Sequence, residues 1–90
     1  MATVRTTVTI VNRLGLHARP AMSFVETASG FKSKITVSKG GESVDGKSIM
    51  QMMMLAATKG TPLDIEADGG DAQVACDTLK RLIESGFDED

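Results

Sequence analysis

One short stretch of this chain has residue types and spacing that could carry chemistry: Gly15-Leu16-His17-Ala18-Arg19-Pro20-Ala21, which holds the only histidine. Pro20 lacks an N–H and favours the first turn of a helix, where that donor has no partner anyway. It also restricts Arg19, which places the helix start within a residue or two of His17. The positive end of a helix favours an uncharged imidazole over imidazolium, and an uncharged ring keeps the lone pair that a nucleophile requires. Backbone N–H groups at the opening turn can bind the oxygens of a phosphoryl group taken up by that ring. Arg19 adds a permanent cation with planar donors suited to phosphate. Gly15 lets a partner's phosphate approach the backbone without a side chain in the way. These residues alone read as an anion site. A nucleophile and a solvated loop histidine both stay open, and a hydrolase would need further groups.

A second stretch, Gly40 to Ser48, reads GGESVDGKS. From Gly41 it fits G-x-x-x-x-G-K-[ST], the pattern of a loop that cradles nucleotide phosphates. Such a loop belongs between a fully buried parallel strand and a long helix. Here the preceding strand offers only Val44 as a strong apolar side chain and follows a tight turn, and the helix beyond is short. Nucleotide binding is therefore not expected. Ser48 reads instead as the N-cap of the following helix.

The elements that position these residues follow from periodicity. Val4, Val8 and Ile10 alternate, which predicts a strand over Val4 to Val11 with one buried face. Ala21, Phe24, Val25 and Ala28 lie on one face of a helix, closed at Gly30, a candidate for a left-handed cap. Ile35 and Val37 alternate again, Gly40-Gly41 predicts a hairpin turn, and Glu42 to Asp45 a short strand. A helix is expected from about Ser48 to Ala57. Leu63, Ile65 and Ala67 mark a further strand, begun by Pro62. The last helix runs from about Asp71, a good N-cap, to Ser85, with Ala72, Ala75, Cys76, Leu79, Leu82 and Ile83 as its apolar stripe. Residues 86–90 read as a frayed acidic tail. The order β-α-β-β-α-β-α, with every strand apolar on one face, predicts a two-layer α+β open-faced sandwich. Its sheet is four-stranded and antiparallel, with three helices on one face.

Ninety residues make one domain, residues 1–90. A net charge of −2, no basic run, and no Trp or Tyr argue against nucleic acid as a partner. No apolar run approaches 18 residues, so no membrane span is expected. The start of the chain shows no export signal. One cysteine forms no internal disulfide, which suits a cytoplasmic location. Cys76 and His17 are too few soft ligands for a metal site, and Cys76 reads as a packed core residue.

Gly15 to Ala21 resembles the active-site motif of the HPr family, the phosphocarrier proteins of the phosphoenolpyruvate-dependent phosphotransferase system. Lys47-Ser48-Ile49-Met50 resembles that family's regulatory serine motif, at the family's spacing from His17. The resemblance implies a sheet in the order 1-4-2-3. It implies that His17 accepts a phosphoryl group on Nδ1 from phosphorylated enzyme I and passes it to a histidine of an A-type enzyme II domain. Gly15 and Ala18 belong to the same motif, Arg19 stabilises the group in transit, and HPr kinase/phosphorylase modifies Ser48. Such a protein is a substrate of enzymes rather than an enzyme, needs no cofactor, forms transient phosphohistidine, and is expected to be a monomer. The alternative is a regulatory binding module that docks on a transcription factor or another target when Ser48 is phosphorylated. The chain departs from the family at Leu14, where a small polar residue is common, and its tail runs on as Ser-Gly-Phe-Asp-Glu-Asp.

The helix after Ser48 is unusually rich in methionine. Helical spacing puts Met52 and Leu55 toward the core, and Ile49, Met50 and Met53 in an exposed patch beside His17. Flexible thioethers suit a surface that must fit several partners.

Overall fold

The computed structural model describes residues 3–88, and the elements follow the expected order. Strand β1 spans Thr3–Thr9, α1 Ala18–Ser29, β2 Lys34–Lys39, β3 Glu42–Asp45, α2 Ile49–Met54, β4 Pro62–Asp68 and α3 Ala72–Glu84. The four strands form one antiparallel sheet in the order β1-β4-β2-β3. None of the helices among the described residues is long and apolar enough to cross a membrane.

Register places the alternating apolar residues on one face. Val8 lies opposite Leu63 and Val4 opposite Ala67; Ile35 also faces Ala67, and Val37 faces both Ile65 and Val44. A shift of one residue in any pair would turn these side chains to water, so burial itself fixes the register. The helices cover this face. Phe24, Ala21 and Ala28 from α1, Met52 from α2, and Ala75, Cys76, Leu79 and Ile83 from α3 are all buried against it. Each large side chain buried here contributes about 1.5–3 kcal/mol. The opposite face stays wet and is tied by polar cross-strand pairs: Arg5 Nε to Glu66 at 2.7 Å, and Thr7 Oγ1 to Asp64 at 2.7 Å.

Several boundaries differ from expectation. β1 ends at Thr9, two residues short of the expected Val11. Pairing nevertheless continues through Ile10, which donates to the Thr61 carbonyl at 2.9 Å. Gly30 is not left-handed; at φ −75° and ψ −9° it continues the helical turn, donating to Thr27. α2 is shorter than Ser48 to Ala57 because Ala56 turns to φ 50°, a conformation the helix cannot extend through. Lys39 Nζ then donates to the Leu55 carbonyl at 2.6 Å, closing the helix end.

Asp71 sits at the N-cap position, yet its carboxylate caps nothing on α3. It reaches back to the α1–β2 loop, accepting the Lys32 and Ser33 N–H groups at 2.8 and 2.9 Å and the Ser33 hydroxyl. Residues 86–88 of the expected frayed tail form a 3₁₀ turn instead, and Phe87 is only 7% exposed because its ring closes the core below α3. Residues 89 and 90 lie outside the described region.

Candidate functional site

The segment that carries His17 is held from both sides. Asn12 is buried; its Nδ2 donates to the Gly15 carbonyl at 2.7 Å, and its own carbonyl accepts the Gly15 N–H at 3.1 Å. These two bonds close a compact loop over the residues where β1 gives way to α1. Leu16 is buried and donates its N–H to the Ala57 carbonyl at 2.8 Å, which fastens the loop to the chain leaving α2. Gly15 stands at φ +69°, and a Cβ there would lie 2.4 Å from the Ala57 carbonyl oxygen. Only glycine fits this close approach. This close approach seats the loop against residues 57–58.

His17 is half-buried and caps α1 with extended backbone, φ −82° and ψ −170°. Its N–H donates to the Gly15 carbonyl and its carbonyl accepts from Ala21, both at 3.0 Å. Ala18 and Arg19 are therefore the first two helical residues, whose N–H groups the helix itself cannot pair, and Pro20 fills the third position, buried. His17, Ala18, Arg19, Met22, Ser23 and Glu26 line one open groove of about 510 Å³. The groove thus brings His17 and Arg19 together at the opening turn of α1. Met22, Ser23 and Glu26 were not singled out from sequence, although their i+3, i+4 and i+7 spacing from Arg19 puts them on its face.

Ser48 caps α2: its Oγ accepts the Gln51 N–H at 3.2 Å. The Gln51 side chain reaches back to the Asp45 N–H at 2.9 Å, and Asp45 in turn holds the Lys47 N–H at 2.9 Å. Lys47 directs Nζ to the Phe31 carbonyl at 2.7 Å. The lysine of the apparent phosphate loop is thus tied to the end of α1, as a structural tether between two loops.

Met52 and Leu55 are fully buried, whereas Ile49, Met50 and Met53 are 40%, 76% and 43% exposed, as their helical positions required. Met54 on α2 and Met22 on α1 are exposed as well. Asn12 was missed because a buried asparagine at a strand end carries no periodic signal.

Comparison with known proteins gives the same picture. The family model described as the PTS HPr component phosphorylation site matches residues 4–85. The phosphocarrier protein HPr of Neisseria meningitidis serogroup A is 48% identical over 86 residues, covering 96% of this chain and 97% of that protein. The crystal structure of HPr-C-His from Thermoanaerobacter tengcongensis superposes with a TM-score of 0.93 at 45% identity, covering 97% of this chain and 98% of that one. An HPr dimer from the same organism gives a TM-score of 0.76 at 46% identity over 91% of this chain and 94% of that one. With both motifs in place on this sheet and these helices, the chain belongs to the HPr family, the phosphocarriers of the phosphotransferase system.

Proposed function

We propose that His17 is the phosphoryl carrier: it accepts the group on Nδ1 from phosphorylated enzyme I and gives it up to a histidine of an A-type enzyme II domain. The observation that carries this reading is the shared groove, in which the half-buried ring of His17 lies with Arg19 at the opening turn of α1. The ring's lone pair attacks phosphorus in line as the bond to the donor breaks, and the second step repeats this with His17 as the leaving group. Arg19 and the N–H groups of the first turn balance the charge that spreads over the equatorial oxygens. The groove is open, so both partners reach the ring from solvent, and the chain works as a monomer that partners leave easily. The exposed face of α2, with Ile49, Met50 and Met53, receives them.

Ser48 supports regulatory phosphorylation by HPr kinase/phosphorylase. Ser48 is half-buried at the start of the methionine-rich helix, so a phosphate there would put about two negative charges at the edge of the docking face. The same modification could present the chain to a regulatory target, and the two roles coexist.

The test is transfer from enzyme I through this chain to an A-type domain, comparing Arg19→Ala with the parent. Loss of one preorganised donor predicts a fall in rate of about 10²–10³. An unchanged rate would remove Arg19 from the reaction.

A further inference from the structure

Methionine is distributed in this molecule in a way that packing alone does not require. α2 is six residues long, Ile-Met-Gln-Met-Met-Met. Met52 is fully buried, while Met50 is 76%, Met54 67% and Met53 43% exposed; Met22, on the helix α1 that packs against α2, is 48% exposed. The cysteine offers no competing target. Cys76 is 1% exposed, its Sγ lies 3.4 Å from the Val4 carbonyl, and burial pushes its thiol up, so it stays protonated and shielded. Surface sulfur among the described residues is therefore thioether sulfur, concentrated on one short helix and its neighbour.

We propose that Met50 and Met54, followed by Met22 and Met53, form a sulfoxidation site through which a peroxide weakens docking of the phosphotransfer partners. The inference rests on the reading above that α2 receives those partners. In the reaction the thioether sulfur takes one oxygen from hydrogen peroxide, the O–O bond breaks, and water leaves; sulfur is oxidised by two electrons and the peroxide reduced by two. Each event turns a flexible apolar group into a polar one with a strong acceptor oxygen. A sulfoxide left without a partner in a closed interface weakens binding by roughly tenfold. The core is spared because Met52 is inaccessible, so the fold persists and methionine sulfoxide reductase can restore the surface.

The experiment treats the folded, full-length protein with hydrogen peroxide and follows two readouts: sulfoxide position by peptide mass spectrometry, and the rate of phosphorylation by enzyme I. Oxygen is expected first at Met50 and Met54, with Met52 and Cys76 unmodified, and the rate at limiting protein concentration falls about tenfold or more. Reductase treatment restores it. In the variant Met22→Leu/Met50→Leu/Met53→Leu/Met54→Leu, whatever its starting rate, peroxide leaves that rate unchanged. Oxidation at Met52 or Cys76 ahead of Met50 overturns the proposal, as does full-rate transfer by the oxidised protein. Met50→Asp separates the two ideas. If it transfers at the parental rate, the docking reading fails; if it is slow while the oxidised parent is not, only the sulfoxidation site fails.

Discussion

Gly15→Ala is the sharpest perturbation of the way this fold holds its histidine. At φ +69° an alanine enters the left-handed region, which costs about 1–2 kcal/mol. Its Cβ would also stand 2.4 Å from the Ala57 oxygen and 2.9 Å from the Thr58 Cα, both backbone atoms that no rotamer change can move aside. The loop must open by about 1 Å to recover ordinary contact. That movement stretches the 2.8 Å bond from Leu16 to Ala57 out of range, a loss of about 1 kcal/mol. Together these give about 2–3 kcal/mol, which for a domain of this size lowers Tm by roughly 8–24 °C. Transfer suffers separately, because a shift of about 1 Å at a reacting group slows chemistry about 100-fold. Gly40→Ala is the control: φ is +60° but nothing lies within 4 Å of its Cβ. It carries only the conformational strain, about 1–2 kcal/mol, and leaves the transfer rate alone. Thermal melts and enzyme I-dependent phosphorylation of both variants decide the matter. If Gly15→Ala melts and transfers like Gly40→Ala, the close approach to residues 57–58 does not position His17.

Ser48→Asp keeps a good N-cap, so Tm stays within a few degrees of the parent, while the added charge slows phosphorylation by enzyme I about tenfold; equal rates with purified enzyme I would remove the regulatory reading. Asp71 gives the fold a pH dependence. Its hydrogen bonds from the Ser33 hydroxyl and the Lys32 N–H hold the carboxyl below its ordinary 3.8. A depressed folded value means stability that is present above pH 3.8 and lost as pH falls through the lower folded value. Asp71→Asn should flatten the Tm-versus-pH curve below pH 4, and a curve parallel to the parent's in that range would contradict it.

What was legible in the sequence was local. Alternation through Ile35-Val37 and Leu63-Ile65-Ala67 placed two strands and their buried faces, and the i, i+3, i+4 spacing from Ala21 and from Ala72 placed two helices. The stretch that resembles the family's motif was legible because it lies within seven consecutive residues. What was not legible depends on partners distant along the chain. Asp71 has the residue type of an N-cap, yet Lys32 and Ser33, 39 and 38 residues away, supply better donors. Lys39 and Lys47 carry no periodic signal, and each caps a carbonyl 16 residues distant. Phe87, set among acidic residues, reads as tail until the core offers it a place. The strand order 1-4-2-3 came from the family resemblance, since periodicity states which face of a strand is buried and never which strand lies beside it. Gly15 shows both limits at once: its type marked it, but the backbone it seats against is more than forty residues on.

The central claim is that one imidazole carries the phosphoryl group. Incubation with labelled phosphoenolpyruvate and enzyme I, followed by acid and base treatment of the isolated protein, tests it most directly. The account predicts a label that is lost in acid, survives in base, disappears in His17→Ala and persists in Ser48→Ala. A label that resists acid, or that remains in His17→Ala, would contradict it.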